Sequence, residues 1–398
     1  MSNDIKLNEN TVKENNWVDI IVLWFVGIFA AMQFSKFSIS YDNLLVEYST
    51  SGASIGTLLS IIGVVGLLCG VVAGVVSGHL GYQKVLIGSL CIGGAMSLLQ
   101  STLPSYPILL ISRVVEGISH LGIVVAAPTL MLRNSTTNSQ SLIMGLWGTF
   151  FGVAFAITGW GGEILLSLYG SSGLFLSHAI ISLPLVAYFL LFLQKDSSTP
   201  STISKLHIEK LFSLTLKVYL TPRTCLPGIV FLFHTSMFVA LLTFVPKISA
   251  DNSTKNLLLV LLPLFSIIGT FLSGPLSQYF LRPPNLLIVA YTSVALSTFL
   301  VTLFEGEQQL FLYSSLFLLL MSGVVQGTSF TLIPFLSKDE SEQAMGNGAI
   351  AQLGNLGATV GPPMFAYCIE SNGTEGLFII VTCLCFFGCI TGLISRRY

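Results

Sequence analysis

Residues 107–132 read PILLISRVVEGISHLGIVVAAPTLML, and this stretch decides the class of the fold. As a helix it is about 39 Å long at 1.5 Å per residue. A bilayer core is about 30 Å thick, so the run is long enough to cross one. Three ionisable side chains interrupt it. Counted inward from Pro107, Arg113 lies about 9 Å deep, Glu116 about 14 Å and His120 about 20 Å. Glu116 is therefore near the midplane. Spacings of three and four residues put all three along one face. That face must meet protein or water, because a charge turned toward lipid is costly, and each charge is a functional candidate for the same reason. Two readings stand side by side. Arg113 and Glu116 form a buried structural ion pair beside a satisfied core His120, or the three form a relay that couples protons to substrate.

Eleven further apolar runs flank this one. They lie near 17–40, 52–77, 84–103, 141–167 and 171–194 in one half, and near 223–246, 255–281, 285–304, 310–336, 344–369 and 374–395 in the other. The composition agrees: 53% of the 398 residues are apolar and 9% are charged, against about 25% charged in an ordinary soluble domain. So few charges cannot cover a soluble protein of this size, which excludes a soluble globular enzyme and a disordered scaffold. No alternating ten-residue pattern suggests a β-barrel, and a net charge of −1 implies no surface for nucleic acid. The first sixteen residues lack the features of a signal peptide, so the run from Trp17 is expected to be a retained first span. The seven cysteines all lie in or beside apolar runs and read as small core residues, not as disulfides or a metal site.

Lysine and arginine set the orientation. With the N-terminus inside, thirteen cations fall on one side, and only Lys247 and Lys255 on the other. Both termini and the central loop are thus expected in the cytoplasm of a cell inner or plasma membrane. The loop, 195–222, begins as a Ser/Thr/Pro linker. From about Lys205 it alternates charge with Leu, Ile and Phe, as an amphipathic surface helix would. The expected organisation is 1–194 as one six-helix bundle, 195–222 as linker and 223–398 as a second bundle.

The two halves repeat at an offset of about 200 residues. GVVSGHLGYQK from Gly74 matches GPLSQYFLRPP from Gly274. RVVEGIS from Arg113 matches GVVQGTS from Gly323, and Met144-Gly145 matches Met345-Gly346. With twelve spans, a central loop and related halves, the chain resembles the major facilitator superfamily of secondary transporters over essentially its whole length. The resemblance implies an all-α integral membrane protein with twelve transmembrane helices in two pseudo-symmetric six-helix bundles. Gly74, Ser77, His79, Gly81 and Lys84 lie on the family's motif between its second and third helices, where Gly78 stands in place of the usual acidic residue. Arg113, Glu116 and Gly117 match its fourth-helix motif, whose arginine is linked in the family to coupling or substrate. The fifth-helix antiporter motif is not met: Gly161-Gly162 is present, but Ile157 and Thr158 replace its Gly-Pro. Gly74, Gly78, Gly81 and Lys84, with Gly274 and Arg282 in the second half, are the candidate gating motif.

Glycines recur at three- and four-residue spacing: Gly66, Gly70 and Gly74; Gly145, Gly148 and Gly152; Gly354, Gly357 and Gly361. Such faces let helices approach closely, either as sliding surfaces between two rocking bundles or as static packing. Other polar groups within spans complete the candidate list. Gln33 and Lys36 lie in the outer part of the first run. Lys36 reads as a snorkelling interfacial residue, with substrate binding as its other role. His234 falls near mid-depth of the seventh run, His178 in the outer half of the sixth, and Gln352 and Asn355 share a face of the eleventh.

These features point to secondary active transport of a small solute by alternating access, driven by protons. Arg113, with Lys36, suits an organic anion such as a carboxylate metabolite or a carboxylate siderophore. The alternative is efflux of drugs or other amphiphiles by proton antiport, favoured by 28 Phe and 9 Met. There is no HExxH or Walker motif to support a zinc-dependent enzyme or an ATP-driven pump. No catalytic residue, metal or cofactor is expected. The expected partners are a small-molecule substrate, protons and the lipid bilayer, without nucleic acid, and the chain is expected to act as a monomer.

Overall fold

The computed structural model describes residues 15–136, 139, 143, 146–192, 216, 218–338 and 340–398. Among them every regular element is a helix. The first half holds α1 (Trp17–Ile39), the short α2 (Tyr41–Tyr48), α3 (Gly52–Ser60), α4 (Ile62–Leu80), α5 (Tyr82–Ser101), α6 (Tyr106–Arg133), α7 (Phe150–Ile157) and α8 (Glu163–Leu191). A π-helical turn at Thr158–Gly162 joins the last two. The second half holds α9 (Pro222–Ile248), α10 (Asn252–Tyr279), α11 (Pro283–Leu303), α12 (Gln308–Leu336) and α13 (Glu340–Ser395). Polar residues start several of these helices. Asn16 accepts from the Asp19 N–H, Ser51 from that of Ser54 and Asp251 from that of Thr254, each filling an otherwise unpaired donor.

Among the described residues, nine helices are long and apolar enough to cross a membrane. They become ten if α3 and α4, bent by 43° at Ile61, form one broken span. Two of the ten, Leu146–Leu191 and Met345–Ser395, run to 46 and 51 residues. Straight, each would be roughly 70 Å long or more, over twice the bilayer core. Both instead fold back at a glycine, Gly170 (φ 65°) and Gly373 (φ 58°), in a conformation that only glycine adopts at little cost. The reversals show in contacts: Gly162 lies against Leu174, and Gly376 against the carbonyl of Cys368. Counting each hairpin as two spans is consistent with twelve crossings.

The halves meet where α3 and α4 lie on α13, and where α7 lies on α10. A β-carbon added to Gly56 would come within 2.8 Å of Pro363 Cα, and one on Gly66 within 2.7 Å of the Asn355 side chain. One on Gly152 would come within 2.6 Å of Ile267, and Gly159 abuts the Leu259 backbone. One turn further along the same faces, Gly70 and Gly148 have nothing within 4 Å. The halves therefore touch at the Gly52 end and part toward the Gly81 end. At the closed end Lys247 of α9 pairs with Asp42 of α2 at 2.6 Å, its ammonium 3.9 Å from the Tyr41 ring centre. The hydroxyls of Ser38 and Thr243 lie 2.6 Å apart across the same boundary.

One glycine face differs from the interface reading. Gly354, Gly357 and Gly361 turn toward Phe231, Thr235 and Ser236 of α9, so they pack helices within the second half and not between halves. It is Asn355, Thr359 and Pro363 of α13 that face the first half. Gly145 and most of the central loop, with its expected amphipathic helix, lie outside the described residues.

Candidate functional site

The break in α3–α4 creates the need that Arg113 meets. Ending α3 at Ser60 interrupts the helical ladder just after Leu58 and Leu59, whose carbonyls lose their regular donors. The Arg113 guanidinium supplies new ones. Its Nε donates to Leu58 O at 2.7 Å and its Nη2 to Leu59 O at 3.1 Å. Nη1 donates to Gln33 O of α1 at 2.8 Å and also to the Glu116 carboxylate one turn along α6. The guanidinium carbon lies 4.0 Å from the centre of the Phe37 ring. Arg113 is completely buried, and its fork ties three helices together.

Glu116 is also completely buried and carries a second cation. Lys36 Nζ donates to Glu116 Oε1 at 2.6 Å. The same ammonium donates to Ser97 Oγ of α5 at 2.7 Å and lies 3.4 Å from His178 Nδ1 of α8. Ser97 Oγ is in turn 2.7 Å from that nitrogen. The other nitrogen, Nε2, is 2.9 Å from Phe29 O, where it can only donate, so Nδ1 is the acceptor. Gln100 Nε2 donates to Glu116 Oε2 at 3.0 Å. Gln33 Nε2 donates to Ser119 Oγ at 3.0 Å. Two buried carbonyl oxygens, Gln33 Oε1 and Gln100 Oε1, have no hydrogen-bond partner. The cluster thus sets one carboxylate between two cations in a space sealed from solvent. Charges survive there only if paired and hydrogen-bonded, and removing one partner costs about 3–5 kcal/mol.

The structure corrects the snorkelling reading of Lys36, which is 1% exposed and points into the bundle. A salt bridge across helices outweighs a reach to the interface because Glu116 would otherwise be left with one cation and an open lone pair. His120 shares the α6 face but not the network: its Nδ1 lies 3.2 Å from Ala30 O and its ring meets Phe34 edge-on. His234 sits in the second half, 3.4 Å from Ser322 Oγ and between Phe231 and Phe238. Gln352 accepts from the Tyr219 hydroxyl at 2.7 Å, and Asn355 packs on Gly66, so neither joins the cluster. The candidate gating residues gather at the Gly81 end. Gly74 and Gly78 are in the last turns of α4, and Gly81 (φ 88°) makes the turn into α5. Lys84 and Arg282 are exposed, and Gly274 has open space around it.

Sequence reasoning missed Ser97 and Gln100, and gave His178 little weight. The available signal was the pair at three-residue spacing inside the apolar run 84–103. It also missed the π turn that stands where the antiporter motif is broken. There the Thr158 hydroxyl lies 2.7 Å from Ser35 Oγ of α1. Such turns are frequent at functional sites.

The model of the Major Facilitator Superfamily matches this chain over residues 23–336 and 228–398. The chain belongs to the major facilitator superfamily. Membership makes it a multi-pass membrane protein of a transporter family and not an enzyme. An uncharacterized MFS-type transporter of Bacillus subtilis (strain 168), YfiU, is 27% identical over 209 residues. The match takes in 52% of this chain and 39% of that relative's length. The facilitator fold is shared with two crystal structures of a bacterial homologue of the human lysosomal transporter Spinster. The inward-facing, occupied form superposes with a TM-score of 0.74 at 13% identity, covering 96% of both chains. The inward-facing, unoccupied form gives 0.72 at 14% identity, covering 96% of this chain and 97% of the other.

Proposed function

We propose that this chain moves a small organic anion across the membrane by alternating access, coupled to protons at Glu116. The observation that carries the reading is the excess of positive charge around a single buried carboxylate. Lys36 and Arg113 share Glu116, and no second acidic group contacts them among the described residues. A proton on Glu116 removes the only counter-charge. Two buried cations then favour an incoming anion, which supplies the counter-charge that the carboxylate gave.

The two cations divide the work. Arg113 is held by three main-chain carbonyls and serves as the anchor. Lys36, on a flexible stem, is the arm that can leave Glu116 for a substrate. The sequence alone offers Arg113 for that role, with Lys36 beside it; the full set of internal partners on Arg113 favours Lys36. With the Lys/Arg bias placing the termini in the cytoplasm, the parted Gly81 end opens inward and the Lys247–Asp42 end is the closed outer gate. Rocking of the halves about the α3/α4–α13 and α7–α10 contacts exchanges the two states.

Proteoliposomes test the coupling. Glu116→Gln should abolish accumulation driven by a pH gradient and leave solute counterflow measurable, because exchange needs no net proton movement. Accumulation undiminished in that variant removes Glu116 from the role.

A further inference from the structure

A line of aromatic rings crosses the boundary between the halves. Phe34 of α1 lies 5.6 Å from Phe151 of α7, centre to centre. Phe151 lies 6.1 Å from Phe238 of α9, on the other side of the boundary. Phe238 is 5.1 Å from His234, and His234 is 5.7 Å from Phe231 on the same helix. Phe231 is 5.4 Å from Phe330 of α12. All these separations fall in the range where ring pairs attract. Phe34 and Phe238 are buried, Phe151 and Phe231 are half-buried, and Phe330 is 43% exposed.

The line has two distinct ends. At one end Phe34 meets the edge of His120, one helical turn along α6 from Glu116. That end approaches the cluster with excess positive charge. At the other end Phe330 is open, and about one turn before Phe151 the halves have parted, as Gly148 shows. None of the described cations lies over any of the five phenylalanine rings; those in cation–π contact rest on Phe37, Phe175, Tyr41, Tyr82 and Phe244. Apolar packing alone would be served as well by Leu, which is abundant elsewhere in the chain. Flat faces contributed by both halves suit a flat guest, and the charge at the inner end sets its sign.

We propose that the substrate is an anion with a planar aromatic body, packed against the half-buried Phe151 of one half and Phe231 of the other, over the Phe238 and His234 rings that join them. Its charge would point along the Phe34–His120 end toward Lys36. The sign of the charge rests on the functional reading above; the aromatic body rests on the rings alone. A guest touching both halves also ties binding to their relative position, which is what alternating access requires.

Permanently charged probes separate the two parts of the proposal. The full chain in lipid nanodiscs is titrated calorimetrically with benzenesulfonate, naphthalene-2-sulfonate and cyclohexanesulfonate. Stacking is expected to give roughly 2- to 12-fold per ring contact, so the aromatic sulfonates should bind at least about 5-fold tighter than the saturated one. Phe151→Leu and Phe231→Leu should each remove most of that preference and leave cyclohexanesulfonate affinity nearly unchanged. Phe330→Leu, at an exposed ring whose loss costs the fold little, should reduce it in part. Equal binding of aromatic and saturated sulfonates, in wild type, overturns the aromatic body and leaves the anion reading standing. Binding of no sulfonate, with tetraphenylphosphonium bound instead, overturns the anion reading.

Discussion

Arg113→Lys keeps the charge at the heart of the cluster and removes the fork, so it isolates what the guanidinium geometry is worth. In the structure four donor contacts leave this side chain: to the carbonyls of Leu58, Leu59 and Gln33, and to Glu116. An ammonium at 113 has three donors on one atom. It can hold Glu116 and one carbonyl, because Leu58 and Leu59 lie on a different helix from Gln33 and were reached by different nitrogens. At least two buried carbonyls are then left without a donor. Each costs about 1–3 kcal/mol, so the variant should lose about 2–6 kcal/mol. At roughly 2 °C per kcal/mol for a long chain, that lowers the unfolding midpoint by about 4–12 °C. The seven free cysteines allow the midpoint to be read with a thiol-reactive fluorophore in detergent. The loss should be matched by faster hydrogen exchange around Ile61, where the carbonyls were released. A midpoint within a degree of wild type would refute the account, since it would mean that Arg113 does not hold the break in α3–α4 together.

Three further outcomes follow from other parts of the molecule. Cysteine placed at Pro200 in a cysteine-free background should react with a membrane-impermeant reagent only from the cytoplasmic side; labelling of intact cells from outside reverses the orientation. Gly56→Leu should drive the halves apart at the Gly52 end, because its β-carbon position is already 2.8 Å from Pro363 Cα, whereas Gly148→Ala, with nothing within 4 Å, should not. Spin labels flanking Asp42 and Lys247 would read this, and an unchanged distance distribution in Gly56→Leu counts against the closed contact. Asp251, outside the spans, caps α10; hydrogen bonds from Ser253 and then Thr254 hold its carboxyl down at about 2 from 3.8. A carboxyl depressed on folding adds stability above pH 4 that is lost as pH falls toward 2. Asp251→Asn should flatten that limb of an acid unfolding curve, and an identical limb in both proteins would show that the cap does not contribute.

The chain's periodicity and charge carry the architecture because a bilayer leaves few options. Backbone polar groups must be satisfied within each span, so twelve apolar runs of about 20 residues can only be helices. The repeat at RVVEGIS and GVVQGTS is legible for the same reason: related halves keep their motifs at the same depth. Arg113 and Glu116 stand out because charge is rare in such runs, and three-residue spacing on a helix makes them neighbours whatever surrounds them.

What lay beyond the sequence depends on contacts between helices that no local spacing specifies. Lys36 is 80 residues from Glu116, and its position three residues from the end of α1 fits an interfacial lysine equally well. Only the packing of α1 against α6 decides that its ammonium turns inward. The same holds for Ser97, Gln100 and His178, which are ordinary polar residues until α5 and α8 bring them to one carboxylate. The break at Ile61 has no proline, and Gly63 beside it is one of many glycines in these runs, so nothing local announces that Leu58 and Leu59 will need outside donors. Depth and periodicity are properties of one helix and are written in the sequence. Which buried charge meets which partner is a property of the bundle, because a low-dielectric interior couples only groups that the tertiary fold brings within a few ångströms.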